Sequence, residues 1–374
     1  TILEGTSINP GRYDVYINCT DSAGNTGKSD VINVQIASIS ACGNIIENGT
    51  YNQTENIVNT SVSSCLNISA DNITIDCRGL LIDGDDSLPH YAIDVLAHNY
   101  STIRNCSFTN WANYAIYYSQ EIGITKITSG SIVDNCTVSD GHADIVGSDD
   151  IVRNSIFKNI TMLGVKGDRD NCGMYFNMGD LEYSNITNIW MMCQSGSLDF
   201  EYSKFLNVRN VYMKDSATAG IYLKYTTNST FRNITVFNSS WSIALDNSES
   251  FVGNNLFENI TINNSVDEGI YIDGDGGNTF ANITIINSTD SGIAFSTTNI
   301  DEPNIFYNMF LNNSVNVYYY GTVPQSHWNT TKTTGTRIFG NGTEIGGNYW
   351  ANYSGGGGYS DTCTDSDNDG FCDD

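Results

Sequence analysis

Oxygen donors stand at alternate positions near the C-terminus of this chain: Asp365, Asp367, Asp369 and Asp373 around Gly370, with the Phe371 carbonyl between them. Ca2+ is a hard cation that takes carboxylates and a backbone carbonyl around a glycine bend. The segment therefore reads as a Ca2+ loop, with Cys363 and Cys372 placed to clamp it by a disulfide. No bidentate Glu follows, which separates it from the helical form of such loops. A second set is acidic. Inverting glycoside hydrolysis needs two carboxyl groups about 6.5–9.5 Å apart, and Asp144, Asp149, Asp168 and Asp170 fall on neighbouring repeats. Solvated bends are the simpler account, and no catalytic residue is assigned. His90, His98, His142 and His327 share no spacing and read as structural or solvent-facing.

Asparagine carries the third chemistry. The chain holds 22 Asn-x-Ser/Thr sequons, each an N-glycan acceptor in a secreted protein. They divide by place in the repeat. Asn159, Asn185, Asn233, Asn259 and Asn282 fall within apolar phrases, where a stacked amide ladder is expected to bury them and leave them bare. Asn238, Asn263, Asn287 and Asn312 follow at polar bends and are expected to carry glycans, with Asn48, Asn52, Asn329, Asn341 and Asn352 in caps and linkers. Tyr117, Tyr175, Tyr222 and Tyr271 hold one place in several repeats and are expected to stack as rings contributing about 0.2–1 kcal/mol per cross-strand pair; the alternative is an exposed stripe that resembles a carbohydrate-binding platform.

The elements that position these residues are repeats. A four-residue apolar phrase recurs at 92–95, 115–118, 143–146, 173–176, 197–200, 220–223, 242–245, 269–272, 292–295 and 316–319, at intervals of 22 to 30 residues. A second phrase follows each, as at 231–236, 257–262 and 280–285. Short runs of Ile, Val, Tyr and Phe between Asn, Asp, Gly and Ser are strands, and fixed-period self-similarity marks a repeat architecture. Leu is too sparse for leucine-rich repeats. A parallel β-helix of about ten coils stacked at roughly 4.8 Å remains, all-β, a rod about 45–50 Å long.

These repeats, the segment 68–79 and the segment 347–353 resemble the right-handed parallel β-helix (PbH1) repeats of NosD-like carbohydrate-binding and sugar-hydrolase surface proteins, a group abundant in archaea, over roughly residues 42–354. The resemblance implies the fold; lyases, hydrolases, epimerases and inert rods all use it. A polygalacturonase of this fold would show an Asp pair before Gly-His and a later Arg-x-Lys. Here Asp149 and Asp150 follow Gly141 and His142, and no Arg-x-Lys occurs. An epimerase would show Asp-Pro-His-Glu, where this chain has Leu88-Pro-His-Tyr91.

Composition narrows the partners. A net charge of −26 with 16 Lys and Arg argues against nucleic acid, anionic membranes and a tight polyuronate site. Ten Cys among many sequons favour an oxidising, extracellular or cell-surface setting. No run approaches a transmembrane segment, and Thr1 reads as a processed or truncated start. Cys106 and Cys136 occupy the same place in neighbouring repeats, so a disulfide between them and simple stacking both remain open. Cys42, Cys65 and Cys77 are placed to staple the N-terminal cap.

Five segments result. Residues 1–38 form a β-hairpin like the end of an immunoglobulin-like domain, with Tyr13 as in a tyrosine corner. It either folds onto its own rod, is a remnant of something upstream, or completes a sheet in a neighbouring copy. Residues 39–90 are the N-terminal cap and first coil, 91–320 the repeats, 321–360 the C-terminal cap with a Gly linker, and 361–374 the acidic Ca2+-loop-like tail. The expectation is a non-enzymatic, glycosylated structural subunit of a cell-surface filament or layer, assembling head to tail with copies of itself. The alternative is a secreted protein that binds or degrades polysaccharide.

Overall fold

The computed structural model describes residues 11–320 apart from 16–17, 29–31, 86–90, 120–126, 140–143, 149–150, 164–173, 177–180, 193–195, 247–252, 274, 297–299, 302 and 307, and beyond 320 it describes 333–334, 344–345 and 348–350. Among the described residues every regular element is a strand. The chain is a right-handed parallel β-solenoid, as expected. Each opening phrase lies in or overlaps a strand of one 12-stranded sheet, from Gly43–Ile45 through Ala219–Lys224 to Val315–Tyr319. We call this the flat sheet.

Alternation decides which side chains enter the core. Along Ala219–Lys224, Ile221 and Leu223 are fully buried while Tyr222 and Lys224 face outward. Nine of the ten phrases open on Ala, Gly or Ser, and at Gly220 and Gly292 the next coil approaches too closely for any side chain. A Cβ at Gly220 would lie 2.7 Å from the Ser242 carbonyl oxygen, and one at Gly292 would lie 2.6 Å from that of Asn316.

The second phrases form a bent sheet of eight-residue strands, including Ile132–Ser139, Thr230–Phe237, Leu256–Asn263 and Thr279–Ile286. Phe231, Phe257 and Phe280 stack inside it at centroid distances of 4.9 and 4.8 Å, all fully buried. Each strand turns a corner midway at an Asn with positive φ: Asn135, Asn159, Asn188, Asn210, Asn233, Asn259 and Asn282, between 54° and 58°. Asn tolerates this left-handed conformation where most side chains do not.

The amides at this corner form the expected ladder, on the opposite side from that expected. Asn188 donates to Asn159 at 2.9 Å, Asn210 to Asn188 at 3.0 Å, Asn233 to Asn210 and Asn259 to Asn233 at 3.2 Å, and Asn282 to Asn259. Asn159, Asn233 and Asn259 are nevertheless exposed. A left-handed residue swings its side chain out of the alternation, so the ladder runs along the surface. Asn185 stands three residues before its coil's corner, Asn188, and instead accepts from Asn207 at 2.9 Å. Among the described residues the buried asparagines are Asn255, Asn278, Asn308, Asn313 and Asn348. They accept backbone N–H groups of the preceding coil, as Asn278 does from Asn255 and Asn348 from Asn308.

Two disulfides staple the N-terminal coils: Cys42–Cys65 and Cys77–Cys106. The second corrects the Cys106–Cys136 expectation. Cys106 bonds backward along the rod, at a Cα separation of 4.8 Å, and leaves Cys136 as a buried free thiol. Residues 363 and 372 lie outside the described residues. At the N-terminus, Gly11–Val15 pairs antiparallel with Ile32–Ile39, which itself pairs in parallel with Gly49–Gln53. The expected boundary at 38 therefore falls inside a strand shared by hairpin and solenoid.

Candidate functional site

The outward residues of the flat sheet form columns because successive coils pair in register. One column reads Asp94, Tyr117, Gly147, Tyr175, Asp199, Tyr222, Ala244, Tyr271, Ala294 and Tyr318. The expected tyrosines thus share a column but alternate with Gly, Asp or Ala. Tyr222 and Tyr271 are two strand spacings apart, roughly 10 Å, so their rings do not stack on one another. Tyr117 packs instead against Tyr91 at 4.3 Å and Tyr114 at 5.0 Å, and Tyr271 against Trp241 at 5.4 Å.

The next outward column is charged: Glu201, Lys224, Asp246 and Asp273. Tyr222 donates its hydroxyl hydrogen to Asp246 Oδ2. Burial first, then this bond and the charges of Asp246, Asp199 and Glu201, push the phenol far above its ordinary range. Tyr222 therefore stays a neutral donor. Asp273 is pushed up by burial and then by the Asp246 charge, against a hydrogen bond from Ser296 that favours ionisation. Two carboxylates in register on adjacent coils so differ in character: one accepts a fixed O–H, the other holds its proton longer. Such a divided pair is the pattern of an acid and its partner.

An aromatic flank adjoins them. Glu268, 4% exposed, accepts Trp241 Nε1–H at 2.6 Å and the Tyr320 hydroxyl at 2.7 Å. That locks the Trp241 ring beside Tyr271. Trp241, Tyr318 and Tyr320 remain exposed.

Most of the sequence-predicted site residues fall elsewhere. Residues 365–373, Asp149, Asp150, Asp168, Asp170, His90, His142, His327, Asn329, Asn341 and Asn352 lie outside the described residues. Asp144 begins the strand Asp144–Ser148 in register with Tyr114. His98 faces Asp71 at 3.2 Å. Asn48, Asn238, Asn287 and Asn312 are exposed, and Asn52 and Asn263 half-buried. Sequence reasoning missed Asp246 and Asp273, whose signal was an acidic residue directly after the opening phrase in three coils, at 201, 246 and 273.

Residues 182–355 match the family model described as periplasmic copper-binding protein (NosD). No curated protein sequence matches the chain. In fold it is similar to the catalytic domain of GH87 alpha-1,3-glucanase solved in complex with tetrasaccharides, at 12% identity and a TM-score of 0.50, and in complex with nigerose, at 13% and 0.51. Each match covers 79% of this chain and 64% of the other, so the chain spans under two thirds of those relatives. A mannuronan C-5 epimerase A-module of Azotobacter vinelandii matches at 12% identity over 75% of this chain and 90% of that one, with a TM-score of 0.44.

These neighbours correct the expectation of a non-enzymatic filament subunit. The solenoid is the architecture of catalytic domains named for polysaccharide chemistry, and the missing polygalacturonase and epimerase motifs exclude only two ways of using it. Copper needs converging imidazole or sulfur ligands. Among the described residues no three His, Cys, Asp or Glu converge on a metal position, so these residues do not fit a copper centre. Two disulfides and the periplasmic description of the matching family fit a location outside the cytoplasm. No helix of the described residues is long and apolar enough to cross a membrane.

Proposed function

We propose that this chain is a secreted polysaccharide-acting protein that cleaves a neutral glycan on the outer face of the flat sheet. The observation that carries the reading is the pairing of Asp246 and Asp273 in register beside Tyr222, with Tyr271 in the neighbouring outward column and Trp241 stacked on it farther along the face. Sugar rings present flat apolar faces that pack on aromatic rings, and glycosidic bonds break between two carboxyl groups. Asp273, whose pKa is raised, donates its proton to the departing glycosidic oxygen. Asp246, oriented by the Tyr222 hydroxyl, attacks the anomeric carbon as that bond breaks; water then releases the sugar, returning a proton to Asp273. Strand spacing of about 4.8 Å suits the short separation of direct attack rather than the wider one that admits a water. A neutral polymer fits because the face and the chain are acidic. A fold shared with α-1,3-glucanase catalytic domains supports the reading without supplying its residues.

The test is release of reducing ends from a panel of α- and β-glucans. Asp246→Asn and Asp273→Asn are each expected to lower kcat by about 10²–10⁴-fold with the circular dichroism unchanged. Undiminished turnover in both variants sinks the assignment.

A further inference from the structure

Five bulky aromatic residues sit in the left-handed backbone region: Tyr100 (φ 58°) and a group of four on later coils, Tyr183 (50°), Tyr202 (52°), Tyr225 (53°) and Phe205 (55°). Large side chains are outliers there, and strain of this kind gathers at functional positions. The backbone at the turn of Tyr183 and Phe205 does not require an aromatic residue. The N–H groups of Gly130, Asn154, Tyr183, Phe205 and Asn228 make the same bond to the next coil, to the carbonyls of Arg153, Glu182, Lys204, Thr227 and Gly253. The coils next to this pair therefore fill the turn with Gly or Asn, the residues that suit it, while Tyr100, bonded alike to the Ser129 carbonyl, holds it on an earlier coil.

The four rings form two stacks, Tyr183 on Phe205 at 4.7 Å and Tyr202 on Tyr225 at 4.4 Å. Tyr183, Tyr202 and Phe205 remain 52%, 44% and 42% exposed. Asn154 and Asn228, at the turns on either side of the first stack, are shorter, so its outer ring faces stand clear as steps on the rod. Between the stacks runs an ion row: Glu182 is buried and held by Arg153 at 2.6 Å and Lys204 at 2.7 Å.

We propose that this corner is a second binding site, which holds a neutral polysaccharide strand and feeds it to the flat face; it rests on the reading of that face as polysaccharide-acting. Step-like aromatic faces take sugar rings, and Arg153 and Lys204, fixed by buried Glu182 and themselves part-exposed, offer N–H donors to hydroxyls. The row's cations are already engaged by Glu182, so a polyanion finds little to hold it against a chain of net charge −26. The corner is continuous with the face: Glu201 and Lys224, paired in register, directly precede Tyr202 and Tyr225.

The test uses Tyr183→Asn/Phe205→Asn and Tyr202→Asn/Tyr225→Asn, which place at these turns the residue that neighbouring coils already use at the first of them. Both are expected to fold with an unlowered melting temperature. Co-sedimentation with insoluble α-1,3-glucan should weaken at least tenfold, while turnover of a soluble oligosaccharide stays unchanged. Asp246→Asn/Asp273→Asn should show the reverse, retention without turnover, so the two sites fail separately. Wild-type-like sedimentation of both corner variants overturns the proposal, as does a wild-type protein that sediments with polygalacturonate in preference to glucan.

Discussion

Asp273 stands in register with Asp246 on the preceding coil, and the charge of the second helps burial hold the proton on the first. Activity that needs protonated Asp273 should therefore fall at a higher pH than an ordinary carboxyl group would give. Asp246→Gln removes the like charge and should move that alkaline limb downward in the residual activity. The stability effect has the opposite sense to a salt bridge. A folded pKa above the ordinary value of 3.8 disfavours the ionised form in the native state, a penalty absent below that pH and growing as pH rises toward the folded pKa. Asp273→Asn should be at least as stable as wild type at pH 7, with the difference vanishing near pH 3. Chemical denaturation at both pH values reads this directly.

Glu182 behaves in the reverse way. Burial alone would raise its pKa, but Lys204 and Arg153 outweigh it and hold the carboxyl below its ordinary value of 4.5. Its stabilisation is present above that value and is lost as pH falls through the lower folded pKa. Glu182→Gln leaves two cations facing a neutral group, and should lower stability at pH 7 by about 1–3 kcal/mol, discounted because both cations are a third or more exposed. The gap to wild type should close in acid. An unchanged gap at pH 3 would show that the loss is packing alone.

The Cys77–Cys106 bridge leaves Cys136 alone in the core, where burial above all pushes its thiol up to about 12. A thiol attacks as its thiolate, so alkylation of the native protein should label exposed Cys19 and spare Cys136 until unfolding. Peptide mapping should recover 77 linked to 106. A 106–136 linkage would refute the arrangement. Removing the bridge by Cys77→Ala/Cys106→Ala should cost about 2–4 kcal/mol.

Both sequon columns face solvent, so burial does not separate them. Hydrogen bonding does so in part: the Asn233, Asn259 and Asn282 amides belong to one continuous ladder, whereas Asn48 and Asn312 are exposed outside it. N-glycans are expected at Asn48, Asn238, Asn287 and Asn312, with the ladder bare. Site-resolved glycopeptide mass spectrometry that finds sugar on Asn259 and none on Asn312 would reverse the assignment.

The sequence by itself determined the solenoid. Ile-x-Leu and Ile-x-Ile alternation at 221–223 and 270–272, small residues at 220, 269 and 292, and Asn at 233, 259 and 282 recur because each coil packs only on its neighbours and meets the same constraints. What it left open is which residues stand side by side. Coil lengths run from 22 to 30 residues, so a column is defined by backbone pairing, and a slip of one residue turns a side chain from core to solvent. Asn264, not the sequon Asn263, holds the left-handed corner with Asn238 and Asn287, and Asn188, not Asn185, joins the ladder. Positive φ at the Asn corners overrode the alternation that had placed the ladder inside. Tertiary register likewise chose Cys77 for Cys106, separated the tyrosines by Gly, Asp or Ala, and brought together Asp246 and Asp273, which lie 27 residues apart in the chain. Equal spacing in sequence shows that residues repeat; only strand pairing fixes which of them touch.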